Sequence, residues 1–406
     1  MKLLFLSPYL PSPPTFGGQR RVHGLMRALS RRHHVGLLAL HNPADPVDSW
    51  LAETRAWCPD AEAFTEPLLG LSGRPKRLAQ LRNLGSRESW DLASHRSQRL
   101  ADRLREKLAT GTWDALVVEF VQMTVNLPQV GLGLPVVLDE HNIEFDLQRR
   151  TARSGGGLFR RVFQEVNWRK LEREEVAAWS RLDGVSVTSE RDLALVSAQA
   201  PAVRRALAPN GVDLDAFTPP AGPPEPDTVI FFGAHNYFPN ADGLRFLFTE
   251  IWPLVVAARP AARLRVVGPP PPDEVAALAL PSVRIEGRVD DIGAAVGRAA
   301  VAIAPLRIGG GTRLKVVEAM ALARPVVATR IGAEGLELVE GRDLLLADAP
   351  GDFAAAILKL LANPGEAEAL GRRGRKRVEE AYGWDACARP LEQLIESLVA
   401  ARQRSR

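Results

Sequence analysis

Short apolar runs separated by longer amphipathic stretches set the pattern of this chain. Residues 2–6 form an apolar run, a Pro- and Gly-rich loop follows to Gly17-Gly18, and Val22, Leu25, Met26 and Leu29 then recur at helical spacing. Residues 35–40 are again apolar and short enough for a strand. The runs 115–118, 135–138 and 185–187 repeat the theme. Unbroken runs of this kind predict strands covered on both faces, and strands alternating with helical stretches predict a parallel sheet flanked by helices.

The pattern restarts after a proline-dense connector, residues 217–226, too rigid and too poor in donors for a helix or a central strand. Beyond it, runs at 229–232, 264–267, 283–285, 301–303 and 325–328 predict strands, with helices over 244–256 and 313–322. After Asp352 the chain reads as mostly helical. The expected class is α/β, with two doubly wound domains facing a central cleft where the carboxyl ends of both sheets meet a ligand.

Composition narrows the chemistry. The 406 residues suit two or three domains. With 52 Lys+Arg against 48 Asp+Glu, the net charge of +4 is too balanced for a dedicated nucleic-acid binder. Cys58 and Cys387 stand far apart with no ligand pattern, which argues against a disulfide scaffold or zinc module and fits a reducing compartment. The first residues are too briefly apolar for a signal peptide, and no run is long enough to span a membrane, so a cytoplasmic location is expected. Two basic stretches, 74–87 and 158–178, suit peripheral contact with the inner face of an anionic membrane; a solvated helix face packed on the core explains them equally well.

The densest chemical signal lies at 305–321, where a strand ends, Gly309-Gly310-Gly311 follow, and Thr312 is placed to cap a helix. Glycines let backbone N–H groups approach a ligand, and a helix N-terminus adds partial positive charge, so this is an anion site suited to phosphate. Arg313 and Lys315 add full charges, while the Gly-Lys-Ser/Thr of a Walker loop is absent. Glu318 lies six residues past Thr312, about 9 Å along a helix, the reach from a diphosphate to a ribose. An ordinary strand-to-helix turn, with Lys315 paired to Glu318, is the plainer alternative. His141 follows the 136–138 run among Asp139, Glu140, Asn142 and Glu144; it is either a satisfied structural histidine or a sugar contact. Gly17-Gly18 is either a close-approach turn or a flexible one. Asp213-Leu214-Asp215 and Asp290-Asp291 read as turns and caps.

In their order and spacing, several pieces together resemble the retaining glycosyltransferases of family four, which have the GT-B fold. These are Pro8-Tyr9-Leu10-Pro11 with Gly17-Gly18, Asp139-Glu140-His141-Asn142, Pro209-Asn210-Gly211-Val212-Asp213, Phe231-Phe232-Gly233, Tyr237-Phe238-Pro239-Asn240, Gly287-Arg288-Val289-Asp290-Asp291, residues 309–327 and Tyr382-Gly383-Trp384. The likeness runs along nearly the whole chain and is greatest to bacterial transferases of exopolysaccharide or cell-surface glycan assembly. It implies an acceptor-binding Rossmann-like domain over 1–208, a nucleotide-sugar domain over 209–383, and a C-terminal helix over 384–406 returning to the first. It also implies transfer, with retention, from a UDP- or GDP-sugar to a sugar or lipid-linked acceptor, with no metal or other cofactor and no nucleic acid.

Residue by residue, Glu318 matches the second glutamate of a Glu-x7-Glu motif, the one that usually holds the ribose. Gly310 stands where the first glutamate would be, so loop N–H groups must meet the sugar there. Arg313 and Lys315 match positions near the diphosphate. The usual Arg…Lys pair after the first strand of the second domain is not visible; Gly233 opens that loop instead, and Arg288 is the substitute for leaving-group charge. The resemblance thus nominates His141, Lys315 and Glu318 as catalytic, and Gly17, Gly18, Gly233, Arg288, Gly310, Gly311, Thr312 and Arg313 as donor-binding. A GT-B-fold nucleotide-sugar epimerase and a non-catalytic nucleotide-sugar-binding partner remain as alternatives.

Overall fold

The apolar runs become the central strands of two parallel sheets in a computed structural model of the chain, which describes residues 1–128, 132–152, 158–235, 237–308 and 313–404. The chain divides into two units, Met1–Pro209 with Cys387–Arg406, and Asn210–Ala386. In the first unit, β1 (Lys2–Ser7), β2 (His34–His41), β3 (Asp60–Thr65), β4 (Ala115–Glu119), β5 (Val136–Glu140), β6 (Gly184–Val187) and β7 (Arg204–Leu207) lie in the order β3-β2-β1-β4-β5-β6-β7. Every pairing is parallel. Leu4, Leu6, Leu116, Val118 and Leu138 are buried in its core, each contributing about 1.5–3 kcal/mol by leaving water.

The second unit repeats the plan with β8 (Glu225–Phe232), β9 (Arg263–Val267), β10 (Val283–Gly287), β11 (Ala299–Ala304), β12 (Val326–Ala328) and β13 (Leu345–Leu346), in the order β10-β9-β8-β11-β12-β13. Its core gathers Val229, Phe231, Leu264, Val266, Val301 and Ile303. In each sheet the order reverses beside the first strand, between β1 and β4 and between β8 and β11. The crevice outside the carboxyl ends at such a switch point is where doubly wound sheets bind ligands.

Three strands lie outside the apolar runs. β3, β7 and β13 are only partly buried, and β7 and β13 are also short, so they carry no continuous apolar signature. The proline connector ends two residues earlier than expected, because Pro226 already belongs to β8. It is tolerated there because pairing with β11 shifts register between Ala299 and Val301, and Asp227 has φ of 61°. Asp213 accepts from the N–H groups of Asp215 and Ala216, and Asp291 caps the helix Ile292–Gly297. Within the first unit, Glu392 on the last helix, Trp384–Arg404, accepts from Arg32 and His33, and Leu394 and Leu398 close over Gly184. Cys58 and Cys387 are buried and form no disulfide. Among the described residues no helix is long and apolar enough to cross a membrane.

Candidate functional site

Two clusters of polar side chains stand at the two switch points. In the first unit, Glu119 ends β4, Asp139 and Glu140 end β5, and His141 follows directly. The helix Gly17–Ser30 carries Arg21 into this cluster, where it is 1% exposed. Its Nε and Nη2 donate to Asp139 at 2.8 and 2.7 Å, and Nη1 donates to the Ala208 carbonyl at 2.8 Å. Burial opposes ionisation of Asp139, but the Arg21 charge and hydrogen bonds outweigh it and hold the carboxyl below its ordinary range. Burial, and then the Asp139 charge, push Glu119 well above that range. His141 Nε2 lies 2.7 Å from Glu119 Oε2, and burial lowers its pKa to about 3, so the imidazole is neutral.

Behind this layer, burial raises Glu140 and Glu144 to about 8 each. Trp179 donates to Glu140, while Glu175 accepts from the backbone N–H groups of Glu144 and Phe145 and so caps the helix Glu144–Ala152. Glu119, Asp139 and His141 offer atoms within 4.8 Å of one another, a metal-like spacing; here Arg21 already supplies the positive charge that a cation would bring. Phe120 has φ of 66° and ψ of 144°, a strained conformation for a bulky residue, and its ring lies on His141 with centroids 3.7 Å apart. Gly18 is required by packing: a Cβ there would overlap the Tyr9 hydroxyl. Gly17 is exposed at the first turn of its helix.

In the second unit, Gly233 follows the end of β8 with φ of 133°. Lys315 reaches it from the helix Leu314–Ala321, its Nζ 3.5 Å from where a Gly233 Cβ would stand. Nζ donates to Asn240 Oδ1 at 2.5 Å and lies 4.5 Å from the Phe231 ring centre. Burial, and then the Arg313 charge, lower its pKa to about 7. The Lys315–Glu318 pair of the plainer alternative therefore gives way to a contact between Lys315 and the loop after β8. Arg313 is 7% exposed; its Nε donates to the Ile331 carbonyl and its Nη2 to Glu334 at 3.1 Å. Glu318, one turn beyond Lys315, is 3% exposed. His235, also buried, points Nε2 at the Val267 carbonyl at 3.1 Å, and its Nδ1 has no partner among the described residues.

The structure corrects one expectation here: the N-cap of this helix is Arg313, not Thr312, and the helix starts at Leu314. Gly310, Gly311 and Thr312 lie outside the described residues. Arg288 stands exposed just after β10. Arg21, Glu119, Phe120 and His235 were not singled out in the sequence, and Asn240 stood there only as the end of the Tyr237–Asn240 motif, with no role given to it. Glu119 carried a signal, a carboxylate terminating an apolar strand; Arg21 carried none, being one of three arginines on an amphipathic helix.

Residues 226–363 match the family model described as glycosyl transferases group 1. An uncharacterised glycosyltransferase of Methanocaldococcus jannaschii is 30% identical over 111 residues, which is 27% of this chain and 31% of that protein. The chain's alignments take in less than a third of the length of the curated relatives it matches. Among solved structures, sucrose-phosphate synthase from Thermosynechococcus elongatus superposes with a TM-score of 0.70 at 20% identity, covering 99% of this chain and 100% of that one. Anabaena HepE in complex with UDP gives 0.66 at 16%, covering 98% and 100%. Residues 226–363 are thus similar to group 1 glycosyl transferases, and the chain has a fold of two parallel-sheet Rossmann-like domains shared with solved GT-B glycosyltransferases.

Proposed function

We propose that this protein is a retaining glycosyltransferase of family four that moves a sugar from a nucleoside-diphosphate sugar to an acceptor hydroxyl in glycan or exopolysaccharide assembly. The observation that carries this reading is the helix Leu314–Ala321, which brings Lys315 and Glu318 to the switch point of the segment that matches the family. Glu318 holds the ribose. Arg313, Lys315 and Arg288 face the diphosphate, with the backbone of Gly233, Gly310, Gly311 and Thr312 completing the cradle. As the nucleoside diphosphate departs it gains negative charge, which these cations and preorganised N–H groups stabilise without a required metal. The acceptor hydroxyl attacks from the face that the leaving group vacates, and His141 meets a sugar oxygen, with Gly17 and Gly18 on the same substrate.

HepE is solved with UDP and with UDP-glucose, which favours a UDP-sugar donor. The helix Gly73–Leu84 has no buried residue and exposes Leu78 and Leu81 beside Arg74, Lys76, Arg77 and Arg82. Such a surface suits peripheral contact with an anionic cytoplasmic membrane and a lipid-linked acceptor. The test is incubation with a panel of nucleotide sugars, with and without sugar and lipid-linked acceptors. Transfer with a retained anomeric configuration is expected. Epimerisation without acceptor, or binding without turnover, would overturn the reading. Glu318→Ala should weaken nucleotide affinity about ten- to a hundredfold, the loss of hydrogen bonds to a charged group. His141→Ala should lower kcat more than donor affinity.

A further inference from the structure

Two carboxyl groups flank His141, and only one is engaged by the guanidinium. Asp139 directs both oxygens at Arg21, and its Oδ2 stays 3.6 Å from His141 Nε2. Glu119 Oε2 is 2.7 Å from the same nitrogen, while its Oε1 is buried without a hydrogen-bond partner. Nδ1 is the other edge of the His141 ring, away from the Glu119 contact. The Phe120 ring packs on the imidazole with centroids 3.7 Å apart and planes tilted by 33°, and the Thr188 hydroxyl donates to the His141 carbonyl at 3.1 Å.

We propose that Glu119 is a positioning residue that donates its proton to Nε2 and so fixes His141 as the Nδ1–H tautomer. The imidazole then meets substrate as a hydrogen-bond donor to a sugar oxygen and not as a general base. The proton balance supports this. Burial and the adjacent Asp139 charge keep Glu119 protonated, and burial keeps His141 neutral. Arg21 holds both oxygens of Asp139, and Nε2, 2.7 Å from Glu119 Oε2, lies within hydrogen-bond reach of the Glu119 proton beside the Asp139 carboxylate that competes for it. An imidazole that accepts at Nε2 carries its own proton at Nδ1. The strained backbone of Phe120 fits a ring placed for orientation. The role in transfer rests on His141 touching substrate, as proposed above; the tautomer does not.

The test is nitrogen-15 NMR of the full chain with labelled histidine near pH 7, together with turnover. Wild type should show a protonated Nδ1 and a bare Nε2. Glu119→Gln, whose carboxamide N–H can donate to Nε2, should keep that pattern and hold kcat near wild type. Glu119→Leu should lose it and lower kcat by roughly tenfold, the worth of one hydrogen bond, with the donor KM unchanged. Circular dichroism and the thermal shift on adding UDP check that each variant folds. A wild-type Nε2–H tautomer or an imidazolium overturns the proposal, as does Glu119→Gln behaving like Glu119→Leu, or Glu119→Leu retaining full turnover. Should no donor and acceptor react at all, the transferase reading fails, while the NMR result still decides the tautomer.

Discussion

Burial between the Phe231 ring and Asn240, with Arg313 close by, brings Lys315 down to about 7, so it titrates near neutral pH. Glu318 on its own helix pulls the other way, and His235 on the loop after β8 is neutral, its pKa lowered to about 3 by burial and by Lys315 itself. An unfolded lysine titrates near 10.4. Between about pH 7 and 10 the unfolded chain therefore holds a proton that the folded chain has released, and the Lys315 contribution to stability rises with pH across that window. A diphosphate beside the amine reverses its preference. Binding of a nucleoside diphosphate at pH 8 should take up close to one proton, and affinity should fall by up to about tenfold per pH unit above 7. Calorimetry in buffers of different ionisation heat reads that uptake; an equal uptake by Lys315→Met would remove Lys315 from the site.

At the level of elements, the helices that carry the site are set by close backbone approaches and by one buried ion pair. Gly371 on the helix Pro364–Ala381 lies so close to the Ala323 carbonyl that a Cβ would overlap it, and Gly374 faces Met320. Met320 shares its helix with Lys315 and Glu318. Gly371→Ala should cost about 1–3 kcal/mol by overpacking and weaken nucleotide binding from a distance; an unchanged melting temperature and affinity would show that the contact relaxes freely. In the first unit, the Arg21–Asp139 pair ties the helix Gly17–Ser30 to the end of β5. Removing Arg21 leaves a carboxylate with 0% exposure unpaired, so Arg21→Met should destabilise by about 3–5 kcal/mol. Adding Asp139→Leu should recover much of that loss in denaturant unfolding, whereas additive losses would mean the pair is uncoupled.

For the whole molecule, a net charge of +4 conceals local surfaces of one sign. The helix Gly73–Leu84 has four basic side chains, no acidic one and two exposed leucines. Long-range attraction to anionic lipid is screened within about 10 Å at 0.1 M salt, so binding through this helix should weaken with ionic strength. Cosedimentation with phosphatidylglycerol vesicles is expected for the native chain and should be lost in Arg77→Glu with Arg82→Glu. Binding that ignores lipid charge, or none at all, would remove the membrane from the functional reading. Each unit also has its own core, so each has the apolar burial a domain needs.

The sequence alone determines that the chain forms two parallel α/β units. Strands covered on both faces must be apolar at every position, and a strand-to-helix glycine loop is a local property of neighbouring residues. β3, β7 and β13 escaped that reading because partial burial leaves no continuous run. What only the tertiary structure decided is which distant side chains share a space, and hence their protonation. Arg21 meets Asp139 118 positions away, and Lys315 meets Asn240 across 75. Glu119, His141 and Lys315 depart from their ordinary pKa values chiefly because burial removes the water that stabilises charge. Desolvation depends on everything packed around a group, and no stretch of sequence contains that information.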